Sequence, residues 1–267
     1  MKFRTWDRAI LLSPIEPGTS YRRKAYALKI HTDGGVTGEC VPSTVPAETA
    51  LTRMTAPVIL GKNALEREAI YRLLRTTLRH VGGIGLAPID LALWDLAGKY
   101  YDAPIYQLLG GYRRKLPVYA STTIGDKSGG LDSPDAYADF AEQCLEMGYR
   151  AFKIHPWRVA PIKRQIELIR AVGRRVGGKM DLMLDPACAY GTFGDALKAG
   201  RECDDAGYYW LEDTYEDSGV SQFGHRKLRQ LIKTPLLQGE RVRGLEPKVD
   251  LMVADATDFI RGDVSHD

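Results

Sequence analysis

Several things are scarce or missing in this chain of 267 residues. Its four cysteines, Cys40, Cys144, Cys188 and Cys203, lie far apart, with no CxxC pair and no histidine at zinc-finger spacing. That excludes a disulfide framework and a structural zinc site, and it predicts reduced thiols in a cytoplasmic protein. No segment reaches the roughly 18 apolar residues that span a bilayer, and the opening MKFRTWDRAI has no apolar signal core. A soluble protein with no membrane partner is expected. Neither sign of charge dominates, since 37 Lys and Arg face 34 Asp and Glu. The basic clusters, such as Arg22-Arg23-Lys24 and Arg113-Arg114-Lys115, are brief, which argues against a nucleic-acid partner. A glycine-rich phosphate loop after a first strand is also missing. GDKSGG at Gly125–Gly130 has the glycines without the spacing, so a nucleotide-binding doubly wound protein is disfavoured.

What is present falls into two regions, 1–115 and 116–267. In the first, YRRKAYALKIHTDGGVTGEC alternates apolar and polar residues on both sides of Asp33-Gly34-Gly35, a hairpin signal. Helical stretches follow, LEREAIYRLLRTTLRH and LAPIDLALWDLAGKYYDAPIYQLLGG, the second with Ile89, Leu93, Leu96 and Ala97 at helical spacing. Strands followed by helices predict a small α+β domain. After residue 115 the rhythm becomes strand, helix, strand, helix. Strands are expected at Pro117–Thr123, Ala151–His155, Asp181–Asp185, Tyr208–Asp213, Leu236–Glu240 and Asp258–Asp263. Helices are expected at Pro134–Met147, Pro161–Val172, Phe193–Ala206, Ser221–Ile232 and, as a shorter piece, near Gly244–Asp250. Such alternation predicts parallel strands with right-handed crossovers. Six strands fit either a doubly wound sheet or a (β/α) barrel seen through its first six units.

The strand ends separate the two. Asp185, Glu212, Glu240 and Asp263 each stand at the C-terminal end of a consecutive strand, 27, 28 and 23 residues apart. In a barrel they converge on the mouth that forms active sites; in an open sheet they spread along an edge. The plainer alternative is that strand-end acids meet water and cap the next helix. Three converging carboxylates call for a cation, because like charges held together raise one another's pKa. All-oxygen ligation selects a hard ion, and Mg²⁺, which keeps open positions for a substrate, fits best. One strand earlier, Lys153 and His155 in AFKIHPW share a face. A lysine buried beside a dication is expected to titrate nearer neutrality, as suits a general base. The alternative for Lys153 is an ion pair with a neighbouring carboxylate.

With these acids beside GGIGLAPIDLALWDLAGKYYDAPIYQLLGG, the chain resembles the enolase superfamily, in its mandelate racemase-like group, over essentially its whole length. The resemblance implies an α+β capping domain (1–115) that reads the substrate and a catalytic (β/α) TIM-type barrel (116–267), truncated here after about six strands. It implies Asp185, Glu212 and Glu240 as Mg²⁺ ligands, with Lys153 and His155 on the second-strand K-x-K positions. It implies Asp263 as the sixth-strand aspartate that pairs with a seventh-strand histidine. The chemistry implied is abstraction of the proton α to a carboxylate. The leading expectation is a lyase dehydrating a sugar acid to its 2-keto-3-deoxy product. The alternatives are racemisation or epimerisation of a 2-hydroxy acid and a non-catalytic binding protein that retains the fold. A homo-oligomer is expected by analogy. His155 in place of the second lysine, Thr214 in place of a proline and Ala187 in place of an asparagine depart from the pattern. His266 reads as a loop histidine. Six strands leave two sheet edges open, so the chain is expected to be a fragment. Substrate-reading loops are expected around Pro17–Tyr21 and Val41–Glu48.

Overall fold

The structure is a computed structural model that describes residues 2–10, 21–41, 54–83, 85–122, 130–215 and 221–264, the first strand and residues 21–26 by their backbone. GDKSGG except its last glycine, His266 and most of both expected substrate-reading loops lie outside the described residues. Two compact units are present, one built mainly from Tyr21–Leu116 and the other from Pro117–Gly262.

The first unit holds an antiparallel sheet of β1 (Lys2–Ile10), β2 (Tyr21–His31) and β3 (Thr37–Cys40), in that order. The turn between β2 and β3 forms where Gly35 accepts a φ of +80° and donates its N–H to the Thr32 carbonyl, while Asp33 caps the Gly34 amide. Helices α1 (Ala56–Ile59), α2 (Arg67–Thr77), α3 (Leu86–Tyr100) and α4 (Ile105–Leu108) follow. Ile70 and Leu74 of α2 meet Ile89, Ala92, Leu93 and Leu96 of α3 and Leu28 of β2 in one buried core. The long second helical stretch splits in two. Asp102 turns left-handed at φ +49°, the Ala103 N–H returns to the Gly98 carbonyl, and Pro104 follows. This Schellman-type ending, with a proline that cannot continue the helix, explains the break.

The W-D-L-x-G-K run on α3 is tied to β3. Asp95 accepts the Glu39 backbone N–H at 2.8 Å, Lys99 donates to the Thr37 carbonyl at 3.0 Å, and the Arg67 guanidinium stacks 4.0 Å from the Trp94 ring centroid. Gly38 makes the approach possible, since a Cβ there would stand 2.0 Å from the Ala92 carbonyl oxygen.

The second unit is a parallel sheet whose strands run in sequence order: β4 (Ala120–Ser121), β5 (Ala151–Ile154), β6 (Asp181–Leu184), β7 (Trp210–Glu212), β8 (Leu236–Gln238) and β9 (Phe259–Ile260). Strictly sequential order is barrel winding; a doubly wound sheet reverses direction partway. Helices α5 (Pro134–Glu146), α6 (Ile162–Val176), α7 (Phe193–Ala206), α8 (Gln222–Arg229) and α9 (Leu245–Val253) form the crossovers. Period-two alternation sorts the strand residues. Phe152, Ile154, Leu182, Leu184, Leu211 and Leu236 pack with Leu168, Ile169 and Val172 of α6 in a buried core. Each such side chain contributes about 1.5–3 kcal/mol on leaving water. Lys153, Met183 and Glu212, at the intervening positions, face the other way.

The strands are shorter than the alternation suggested, two to four residues each, and except at Glu212, the last residue of β7, ladder pairing stops before the expected C-terminal acids. Asp185 lies one residue past β6, Glu240 two past β8 and Asp263 three past β9. Both outer strands, β4 and β9, have one neighbour each among the described residues. No helix among the described residues is long and apolar enough to cross a membrane. The four cysteines are free.

Candidate metal centre

The strand-end acids do not cap the following helices. Hydroxyls do that: Ser133 accepts the Ala136 N–H, Thr192 the Asp195 N–H and Ser221 the Gly224 N–H at the starts of α5, α7 and α8. Asp185 and Glu212 are instead buried, each 1% exposed, and Glu240 is partly covered. One ligand oxygen from each of Asp185, Glu212 and Glu240 lies within 4.8 Å of the others.

Two cations thread this cluster. Lys153 Nζ donates to Asp185 Oδ2 at 2.8 Å and to Glu212 Oε2 at 2.9 Å. Arg261 Nη1 donates to Glu212 Oε1 at 3.0 Å and to Glu240 Oε2 at 2.7 Å. Acid and base alternate as Asp185, Lys153, Glu212, Arg261, Glu240, supplied by five different strands or their ends. Trp210 Nε1 adds a bond to Glu212 Oε2 at 3.3 Å, and the Ala187 N–H donates to Asp185 Oδ1 at 2.9 Å.

His155 completes the rim on the lysine side. Its Nε2 is 2.8 Å from Asp185 Oδ2, and its Nδ1 is 2.5 Å from the Thr122 carbonyl oxygen. Both ring nitrogens thus face oxygen acceptors of the site. The His155 N–H and the Thr122 hydroxyl lock this register at 2.8 Å.

In this geometry the charge state of Lys153 is set by its acidic neighbours. Burial alone lowers a lysine pKa, but the contacting carboxylates of Asp185 and Glu212 outweigh it and hold Lys153 above its ordinary value. The ion-pair alternative describes this geometry. Asp185 is the mirror case: burial pushes its pKa up, and the His155 bond with the Lys153 ammonium overrides that and keeps it below the ordinary carboxylate value.

Asp213, which sequence reasoning passed over, lies behind Glu212. It is 1% exposed, takes a left-handed φ of +37°, and neither carboxyl oxygen finds a hydrogen-bond partner among the described residues. Burial, then the nearby Asp185, Glu212 and Glu240, push its pKa up to about 8. Arg261 was missed as well, although period two on the last expected strand sets it on the same face as Asp263. Asp263 is half-buried, is grouped with the first compact unit, and is not part of the carboxylate cluster.

Would a cation suit these residues? The donors are three carboxylates, set against the two cations Lys153 and Arg261. An all-oxygen set with excess negative charge suits a hard dication such as Mg²⁺ and offers nothing to a thiophilic metal.

Comparison with known proteins locates this arrangement. Residues 136–267 match the family described as enolase C-terminal domain-like, and residues 8–110 match the mandelate racemase / muconate lactonizing enzyme N-terminal domain. A D-xylonate dehydratase of Haloferax volcanii is 28% identical over 261 residues, covering 89% of this chain and 61% of that protein. A D-gluconate dehydratase of Thermoproteus tenax is 28% identical over 269 residues, covering 93% and 52%. The chain therefore spans between half and about three-fifths of the length of these curated relatives. A crystal structure of D-glucarate dehydratase from Agrobacterium tumefaciens, complexed with magnesium, superposes with a TM-score of 0.89 at 27% identity, over 99% of this chain and 73% of that one.

Proposed function

Because the chain belongs to the enolase superfamily, in its mandelate racemase / muconate lactonizing enzyme branch, we propose that it acts as a Mg²⁺-dependent sugar-acid dehydratase. The observation that carries this reading is the convergence of Asp185, Glu212 and Glu240 on one point at the mouth of a parallel sheet.

In the proposed reaction a polyhydroxy acid loses the proton α to its carboxylate and the hydroxyl β to it, together one water. The resulting enol tautomerises to a 2-keto-3-deoxy acid. Bound Mg²⁺ would offset the negative charge that develops on the substrate carboxylate. Lys153 and His155 stand side by side at the rim. Lys153, as the ammonium between Asp185 and Glu212, keeps those two acids together and adds positive charge where an anionic substrate arrives. His155, its side chain 21% exposed against 6% for Lys153, is the more accessible of the two. We assign it proton transfer on that face of the substrate. Asp263 is assigned the opposite face on its sequence motif. The relatives named as xylonate, gluconate and glucarate dehydratases support a sugar acid as the substrate class.

The test is incubation of the protein with a panel of sugar acids and Mg²⁺, scoring 2-keto acid and following the α-hydrogen by NMR in D₂O. Keto-acid formation that stops with chelator supports the proposal. Exchange of the α-hydrogen with solvent and no keto acid would replace dehydration by racemisation, and neither signal with any acid would contradict it.

A further inference from the structure

The three carboxylates are unequally held. Asp185 has Lys153, His155 and a backbone amide; Glu212 has Lys153, Trp210 and Arg261. Glu240 sits beyond the end of β8, follows a glycine at φ +122°, and is 24% exposed where the other two are 1%. Its described partners are Arg261 at 2.7 Å and its own neighbour Arg241 at 3.5 Å.

Arg261 is well placed to hold it. Its backbone N–H donates to the Gln238 carbonyl at 2.9 Å, extending the ladder between β8 and β9. A Cβ on Gly239 would lie 3.0 Å from the Arg261 carbonyl oxygen, so the two chains are pressed together immediately before Glu240. With its backbone fixed, one guanidinium nitrogen reaches both Glu212 and Glu240 across two strands. Charge-assisted bonds of this kind are short and directional, and the shared donor offsets repulsion between two carboxylates brought within a few ångströms.

We infer that Arg261 is a positioning residue for the metal centre: it clamps Glu240 against Glu212, so that the third, weakly anchored ligand is in place before a dication arrives. This rests on the metal reading proposed above. A competing electrostatic effect runs the other way, since removing a cation from an acidic cluster strengthens its attraction for a dication. The two effects give opposite signs, which makes the inference testable.

The experiment is titration of the full chain with Mn²⁺, read by electron paramagnetic resonance of the free ion, with the unfolding midpoint of each variant measured in chelator. Outer-shell partners of metal ligands are typically worth roughly 10- to 100-fold in affinity. Arg261→Met is expected to weaken Mn²⁺ binding by about that factor while its midpoint in chelator shows that it folds. Arg261→Lys, which can still bridge both acids, should recover most of the loss. In a Glu240→Gln background the same Arg261→Met change should cost nothing further. Equal or tighter binding by Arg261→Met, or an undiminished loss in the Glu240→Gln background, would overturn the clamp while leaving the metal site standing. Failure of the unaltered protein to bind Mn²⁺ would overturn the metal reading and the clamp with it.

Discussion

The two units use their charged residues in opposite ways. On α3 of the first unit, Asp95 and Lys99 each close a bond to the backbone of β3, and the charge ends in a satisfied peptide group. At the mouth of the second unit, Asp185, Glu212, Glu240, Lys153 and Arg261 bond mainly to one another, and the carboxyl of Asp213 bonds to nothing among the described residues. Both patterns are equally visible as sequence motifs. One is packing and the other is an electrostatic arrangement held together at a cost, as expected of a site prepared for a ligand.

That contrast can be broken most forcefully at Lys153. Removing one partner of a buried ion pair costs about 3–5 kcal/mol, because charge is left buried and uncompensated. Lys153→Met should therefore lower the unfolding midpoint strongly in chelator, and Mg²⁺ should restore much of it by supplying the missing positive charge. A loss that Mg²⁺ does not touch would mean the cluster is ordinary structure. In the first unit no ion should matter. Gly38→Ala forces a Cβ against the Ala92 carbonyl, and overpacking of this kind costs about 1–3 kcal/mol. That loss should be the same with Mg²⁺ and with chelator. Urea unfolding under both conditions measures it, and a metal-dependent loss would erase the distinction between the units.

The pH dependence of the comparison lies at Asp213. Its folded pKa of about 8 stands above the ordinary 3.8. Between those values the folded protein keeps a proton that the unfolded chain has released, so stability falls as pH rises through the window. Below it both forms are protonated and the group contributes no slope. Asp213→Asn removes the titration. In chelator its stability should match the unaltered protein near pH 4 and exceed it near pH 8. Parallel stability-against-pH curves for the two proteins would show that Asp213 is not held protonated.

Much of this architecture could be read in advance from one chain. Apolar pairs such as Phe152 and Ile154, or Leu182 and Leu184, announced strands, and the acids that end those strands announced a shared mouth. The order of strands and helices in the second unit follows that reading closely. What escaped depends on distance in space. The ion pair of Lys153 was readable only as an alternative, because its partners Asp185 and Glu212 lie 32 and 59 residues away. Arg261 reads as one basic residue on a short strand until the β8–β9 register brings it to Glu240. Asp213 looked like the neighbour of a ligand; only its burial and left-handed backbone set it apart. The first strand, Lys2–Ile10, was also missed, since Arg4, Asp7 and Arg8 interrupt any simple alternation.

The most direct measurement is the shift in unfolding midpoint that Mg²⁺ produces, compared between the unaltered protein and Glu212→Gln. A dication at a hundred times its dissociation constant adds about 2.7 kcal/mol, on the order of 5 °C for a chain of this size. The unaltered protein should show that rise and Glu212→Gln should lose it. No rise in the unaltered protein, or the same rise in both, would contradict a hard cation held by these three acids.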